Sequence, residues 1–167
     1  MFRGLHEHTM DAKGRTSFPS RFRDVLRAQQ SPAAAQAEPP SSAAGEADAS
    51  EERLIITTGI DRCLVAYPPA EWEAFEQRLA GLSQFDPAVV QLRRIYVAGA
   101  HECSLDKHGR LLIPPMLREY AQLERDVVWA GMVTTIEVWA KGLWMEQMAA
   151  SRQDRQGIAK ALTELGL

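Results

Sequence analysis

The chain has 167 residues, 46% of them apolar and 25% charged, proportions ordinary for a globular protein of one medium domain or two small ones. No apolar run approaches the roughly 18 residues a membrane helix needs, and two cysteines, Cys63 and Cys103, are too few for a disulfide scaffold and fit a reduced, cytosolic setting. The net charge of −3 hides an uneven distribution: residues 28–52 hold Glu38, Glu46, Asp48, Glu51 and Glu52 and no Lys or Arg, and the remainder carries 17 acids against 19 bases, a balance that permits a polyanion partner without demanding one.

In chain order, Met1 to Glu7 turns polar at once, so no secretory signal is expected. Residues 5–18 read as strand, tight turn and strand: His6 to Met10 alternates in character, Lys13-Gly14 supplies a glycine for positive φ, and Arg15 to Phe18 returns. Pro19 ends the return strand and Ser20 caps a short helix to about Arg27, with Phe22, Val25 and Leu26 on its apolar side. Residues 28–52 contain no aromatic and no branched aliphatic residue; a segment that cannot bury apolar area cannot offset its ordering entropy, and it reads as a disordered insertion.

Leu54 to Thr58 and Cys63 to Tyr67 read as strands around a turn at Gly59 to Arg62. A helix follows to about Leu82, with Trp72, Phe75, Leu79 and Leu82 at helical spacing. Asp86-Pro87 caps a second helix to about Ala98. Glu102 to Leu105 and Arg110 to Ile113 are the next strands, around a turn at Lys107-His108-Gly109. A short helix spans Met116 to Ala121, strands cover Val127 to Ala130 and Thr135 to Trp139, and Lys141 opens a further helix. The tail from Ala149 is polar, with Ile158, Leu162 and Leu165 available as one helix face.

This order contains a repeat. Gly4, His6, Glu7, Asp11, Gly14, Arg15, Pro19 and Arg23 return as Gly99, His101, Glu102, Asp106, Gly109, Arg110, Pro114 and Arg118, all shifted by 95. Gly59, Leu64, Tyr67 and Trp72 match Gly131, Ile136, Trp139 and Trp144 at a shift of 72. The first copy thus carries 23 extra residues, about the length of the acidic segment, and a lengthened surface loop is entropically mild. The expected organisation is one repeat over 5–73 including the insertion, a helical connector over 74–99, a second repeat over 100–146 and a polar tail over 147–167.

Taken together, Met1-Phe2-Arg3-Gly4, Asp11-Ala12-Lys13-Gly14-Arg15 with Phe18-Pro19-Ser20-Arg21-Phe22-Arg23, Leu64-x-x-Tyr67-Pro68 with Glu71-Trp72, Asp106-x-x-Gly109-Arg110 with Ile113-Pro114, and Ile136-Glu137-x-Trp139 resemble the MraZ family of bacterial transcriptional regulators, related to the AbrB-type DNA-binding fold. The resemblance covers nearly the whole chain outside 28–52 and the far tail. It implies an α+β, β-rich chain, a pseudo-twofold double-split β-barrel of two AbrB-like repeats with flanking helices. It also implies ring-shaped homo-oligomers and binding to short direct repeats upstream of the family's own division and cell-wall gene cluster, usually as a repressor. No enzymatic activity, cofactor, metal, membrane or small-molecule substrate is implied, and the setting would be the cytoplasm, at the nucleoid.

The residues suggest how such a protein would work. A two-stranded β element can enter the major groove, and an arginine can pair bidentately with guanine for about 1–3 kcal/mol of discrimination. Arg15 and Arg110 are the candidate readers. Lys13, and at the matching tip Lys107 and His108, are candidate phosphate contacts, with His108 making the second tip more weakly or pH-dependently charged. Arg3 is a further candidate for DNA. Asp11 and Asp106, repelled by phosphate, are expected to shape the turns with Gly14 and Gly109 by accepting turn amides or orienting the arginines. Arg21, Arg23 and Arg118 read as solvated or salt-bridged. A ring-forming scaffold using the same hairpins as subunit contacts is the alternative. A metal-dependent hydrolase built on His6-Glu7-His8 and His101-Glu102-Cys103 lacks both tight Cys/His pairs and unequal acid/base surroundings; those strands read as packing or subunit contacts. Tyr67, Trp72, Trp139 and Trp144, at equivalent repeat positions, read as paired core anchors.

Overall fold

The computed structural model describes residues 1–30 and 52–166; most of the expected insertion lies outside them. The strands are β1 (Leu5–Thr9), β2 (Arg15–Ser17), β3 (Arg53–Thr58), β4 (Leu64–Tyr67), β5 (His101–Ser104), β6 (Arg110–Leu112), β7 (Asp126–Met132) and β8 (Thr135–Ala140). The helices are α1 (Ser20–Gln30), α2 (Pro69–Ala80), α3 (Pro87–Leu92), α4 (Pro115–Tyr120), α5 (Lys141–Gln153) and α6 (Arg155–Glu164), with a π-helical turn over Arg93–Val97 after α3.

Six strands form one antiparallel sheet in the order β1-β7-β8-β4-β3-β5, and β2 pairs with β6 in a separate two-stranded ribbon. The six-strand order reads the same from either end once repeats are exchanged. β1 of the first copy pairs with β7 of the second, β5 of the second pairs with β3 of the first, and β4 and β8 meet at the centre. The sheet is open, with β1 and β5 as its edges. The architecture is therefore mixed α/β with a β-rich antiparallel centre.

Pairing across copies changes the expected hairpins. β1 and β2 do not form a ladder with each other; only the bridge between Met10 and Thr16 joins them, and the return strand takes its partner from the other repeat. Two boundaries also move. α1 continues through residues 28–30, and Glu52 is held by ion pairs to Arg23 and Arg27 and by donation of the Leu105 amide to its carbonyl, 2.8 Å; the ends of the expected insertion therefore belong to the fold. Register shows β3 matching β7 at a shift of 73 (Ile56 with Trp129) and β4 matching β8 at 72 (Ala66 with Val138), because the β3–β4 turn is one residue longer than its counterpart. The shorter turn places Val133 at φ 70, a region costly for a β-branched residue.

One face of the sheet contributes Leu54, Ile56, Leu64, Ala66, Val127, Trp129, Ile136 and Val138 to the main core. α1 and α4 cover it with Phe22, Leu26 and Leu117, and the ribbon adds Leu111 beside Phe18 and Ile113. Phe22 meets Phe2 edge-on at 5.6 Å and the His6 ring at 4.8 Å, and Phe18 meets Trp129 at 5.3 Å. Burying such a side chain contributes about 1.5–3 kcal/mol. Across the sheet, Cys63, Val128 and Trp139 form a second cluster with Leu143 and Trp144 of α5. The expected aromatic anchors occur as matched pairs: Tyr67 with Trp72 at 5.3 Å, Trp139 with Trp144 at 5.8 Å. The helix expected over 86–98 is α3 plus the π-helical turn, capped where the Asp86 carboxylate accepts the Ala88 amide at 2.8 Å. Its Arg93 donates to the Leu79 carbonyl in the last turn of α2 and to the Leu82 carbonyl just beyond it, at 3.0 and 3.2 Å.

Candidate nucleic-acid interface

The five-residue spacing Asp-x-x-Gly-Arg closes on itself. In the first copy one Asp11 carboxylate oxygen accepts the Lys13 and Arg15 amides at 3.0 and 2.9 Å, and the other accepts Arg15 Nε at 2.8 Å. The backbone seals the loop, with Asp11 N donating to Arg15 O and Gly14 N to Asp11 O, both at 2.9 Å. The second copy repeats each bond. Asp106 accepts the His108 and Arg110 amides at 2.8 and 3.0 Å and Arg110 Nε at 3.0 Å, with Arg110 Nη2 also at 2.9 Å. A short acceptor at the first position reaches amides two and four residues on, and the intervening backbone must turn left-handed at the fourth: Gly14 has φ +87 and Gly109 φ +72. Only glycine adopts that conformation without steric cost.

These bonds set the charge states. The Arg15 amide, followed by the Arg15 side chain, holds the Asp11 carboxyl below its ordinary value. The Arg110 amide, then its side chain and the His108 amide, push Asp106 down to about 2. Both carboxylates stay ionised and hold their arginines by Nε. Among the described residues no hydrogen bond engages the Nη atoms of Arg15, so one guanidinium edge faces outward.

Each turn is packed by the other copy. The position a Cβ would take on Gly14 lies 2.6 Å from Nε and Cζ of Arg118, whose Nε donates to Ile113 O at 3.0 Å. The equivalent position on Gly109 lies 2.8 Å from Nη1 of Arg23, which also pairs with Glu52. Arg23 and Arg118 are thus lids over the opposite copy's turn glycine. Arg21 is exposed on α1.

The ribbon joins the two turns into one surface. Arg15 pairs with Leu112, Thr16 with Leu111 and Ser17 with Arg110, and the ends are tied by Phe18 N to Gly109 O at 2.9 Å and Ile113 N to Gly14 O at 3.0 Å. Directly opposed residues share a face. Thr16 and Leu111 are buried beneath, whereas Arg15, Ser17, Arg110 and Leu112 form the outer face. Two residues along the strand and one strand across put the Cα atoms of Arg15 and Arg110 about 8 Å apart, and the turn glycines sit at opposite ends, roughly 14 Å apart along the ribbon. Lys13 at one tip, and Lys107 and His108 at the other, are exposed.

Seven of the expected residues are thereby brought together: Lys13, Arg15, Lys107, His108, Arg110 and, as turn acceptors, the Asp11/Asp106 pair. Arg3 is not among them. It lies beyond the start of β1, beside the β7–β8 turn where Phe2 bridges Val133, and eight extended residues place it roughly 26 Å from Asp11. Ser17 and Leu112 join the surface unforeseen; the in-out alternation of Arg15-Thr16-Ser17 and Arg110-Leu111-Leu112 was the available signal. The His6/His8 and His101/Cys103 strands pack as structural elements: His6 against Phe22, and His101 Nδ1 against Gly99 O at 3.0 Å. Among the described residues no group of three or more His, Cys, Asp or Glu is placed to hold a metal, and no helix is long and apolar enough to cross a membrane.

Comparison with known proteins follows the same line. The family model for the MraZ protein matches residues 46–95 and 96–164. The chain is 36% identical over 167 residues to a protein of Desulfitobacterium hafniense strain Y51 and 37% identical over 167 residues to one of Acetivibrio thermocellus, with all of each sequence covered. It is 35% identical to one of Syntrophobacter fumaroxidans over 99% of this chain and 97% of that protein. All three carry the name transcriptional regulator MraZ.

Proposed function

The chain belongs to the MraZ family, and on that premise we propose that it is a DNA-binding transcriptional regulator that reads duplex DNA with the outer face of the β2–β6 ribbon. The observation that carries this reading is the ribbon itself: two arginines on one exposed face, each held by a carboxylate of its own turn. A two-stranded β element fits the major groove, about 12 Å wide. Turn tips roughly 14 Å apart would meet the phosphates bordering it, Lys13 on one side and Lys107 with His108 on the other, while Arg15 and Arg110 address base edges. Asp11 and Asp106 act as positioning residues that aim the guanidiniums. Arg3, remote from the ribbon, is left to contacts outside the groove.

The family's finer properties extend the proposal. The open sheet and the separate ribbon, linked by the Met10–Thr16 bridge, form the double-split β-barrel of two AbrB-like repeats, over 5–73 and 100–146 around the connector 74–99. The protein assembles as a homo-oligomeric ring, so that weakly binding ribbons engage several direct repeats at once. It represses its own division and cell-wall gene cluster from the promoter, in the cytoplasm and at the nucleoid. It is a regulator and not an enzyme.

The test is a gel shift on the gene's own upstream region. Arg15→Ala and Arg110→Ala should each weaken binding about 10–100-fold, from roughly 1–3 kcal/mol per bidentate contact, with oligomer size unchanged. Affinity should fall steeply with salt as counterions are released. Wild-type affinity in both variants would refute the ribbon assignment. No retardation at low salt would leave the ring-forming scaffold in its place.

A further inference from the structure

The β2–β6 ribbon has a local twofold axis. Arg15, Thr16 and Ser17 pair with Leu112, Leu111 and Arg110. The repeat shift of 95 sends Arg15 to Arg110, Thr16 to Leu111 and Ser17 to Leu112. Rotation about the middle of the Thr16–Leu111 pair therefore exchanges the two strands. Their burial agrees: each runs half-buried, buried, exposed. The outer face consists of two rows, Arg15 beside Leu112 and Arg110 beside Ser17, with each arginine held by its own aspartate. The rows differ in one position, a leucine in one and a serine in the other.

That difference bears on direction. The duplex backbone has a twofold axis of its own, so a ribbon with two identical rows would sit in the groove equally well either way round. The tips do not break the tie, because their partners are phosphates, which carry no sequence information directly. Base edges are reached by the rows. Arginine suits guanine in both, and the Ser17 hydroxyl, which can donate or accept, tolerates any base. Leu112 can do neither, and the apolar group on the major-groove edge is the thymine C5-methyl. Leu112 is 53% exposed and belongs to neither core cluster of the described residues, so packing within the chain does not account for it. Its Cβ lies about 5 Å from that of Arg15 across the ladder. One base step is about 3.4 Å along a strand, which sets the thymine at the base pair next to the guanine of Arg15.

We infer that Leu112 reads a thymine methyl beside the guanine bound by Arg15, and that the difference between Leu112 and Ser17 fixes the direction in which the ribbon lies on its site. The inference rests on the ribbon reading proposed above and adds the residue that gives the site its polarity.

The test uses the full chain, with the gene's own upstream region as the probe. Replacing thymine by deoxyuridine removes the methyl and nothing else. The guanine of Arg15 is the one whose N7 methylation weakens binding by wild type but not by Arg15→Ala. Beside it, one uracil should weaken wild-type binding about fourfold, the worth of one buried methyl-sized group. Leu112→Ser should bind the thymine and uracil duplexes equally. The converse variant, Ser17→Leu, should gain about fourfold on a duplex with thymine placed beside the guanine of Arg110, and it tests the same idea should Leu112→Ser fold poorly. Direction is read by cleavage. Cys63 and Cys103 are buried, so an iron chelate can be attached selectively to Ser20→Cys, an exposed position past the Ser17 end of β2. On a duplex with a single site, the otherwise wild-type chain should cut to one side, and the chain also carrying Leu112→Ser to both. No uracil effect beside the Arg15 guanine, or an effect that Leu112→Ser keeps, would overturn the inference while leaving the guanine contacts and the ribbon reading intact. Equal loss of affinity for both duplexes in Leu112→Ser would mark a structural leucine and overturn it as well. One-sided cutting by Leu112→Ser would overturn the polarity. Absence of any shift by wild type would overturn the ribbon reading and this inference together.

Discussion

Substituting Gly14 by alanine tests the architecture of the reading head. The backbone there has φ +87, where a Cβ costs about 1–2 kcal/mol. The new methyl would sit 2.6 Å from the Arg118 guanidinium, so the arginine must leave and its 3.0 Å bond to Ile113 O is lost. A hydrogen bond from a charged donor is worth about 1.5 kcal/mol at this half-exposed position. Against these losses, alanine removes about 0.5 kcal/mol of unfolded-state entropy. The net loss is about 2–3 kcal/mol, a fall in Tm of roughly 5–10 °C for a chain of this size. The assay is thermal unfolding at one protein concentration, for wild type, Gly14→Ala, Arg118→Ala and the double variant. With the arginine already gone, Gly14→Ala should cost only the backbone share, giving a coupling of about 1.5 kcal/mol, the value of the lost hydrogen bond. A single variant melting within 1 °C of wild type, or a cycle additive to within about 0.3 kcal/mol, would refute the claim that Arg118 is built against this glycine.

Three further outcomes are expected. Gly131→Ala should release the N-terminal segment, because its Cβ would lie 2.6 Å from backbone atoms of Phe2 and Arg3; the loss approaches the roughly 3–5 kcal/mol of truncating a buried phenylalanine, and trypsin should cut after Arg3 many times faster. Cys63 and Cys103 are buried, and burial, more than the neighbouring carboxylates, pushes their thiols up to about 12 and about 11; a thiol reagent at pH 8 should therefore modify neither until the chain is denatured, when both react. The Asp106 carboxyl is depressed to about 2 from 3.8, so its contribution to stability is present above pH 3.8 and disappears as pH falls through 2. The stability difference between wild type and Asp106→Asn should shrink across that window, and a difference constant from pH 5 to pH 2 would contradict the assignment.

How much of this was legible in the sequence follows from the range of each interaction. The turns were readable because Asp11 to Arg15 and Asp106 to Arg110 satisfy themselves within five residues. The repeat was readable as shifts of 95 and 72, the second carrying the matched aromatic pairs. The ribbon was not, since an alternating strand such as Arg15-Thr16-Ser17 carries its own in-out pattern but no label for its partner. The nearest candidate was β1, and the partner chosen was β6. The lids were hidden for a related reason. Arg23 and Arg118 sit on ordinary helix faces, and only the crossing of the copies sets each over the other's glycine. The single-residue difference between the β3–β4 and β7–β8 turns fell below the resolution of matching by identity, because Gly59 and Gly131 are both glycines yet occupy different steps of the ladder.

The palindromic strand order also governs how the chain can be made. β1 begins at Leu5, but its ladder partner β7 begins at Asp126, about 120 residues later in synthesis. At roughly 5–20 residues per second, the N-terminal strand waits about 6–24 s on the ribosome before its partner exists. β2 likewise waits for β6, and β3 for β5. During that interval the first repeat has only the β3–β4 hairpin available within itself, too little to stand alone in water. The nascent first half consequently lacks the ladder partners it needs until the second half arrives, and native structure is expected only once both repeats are present.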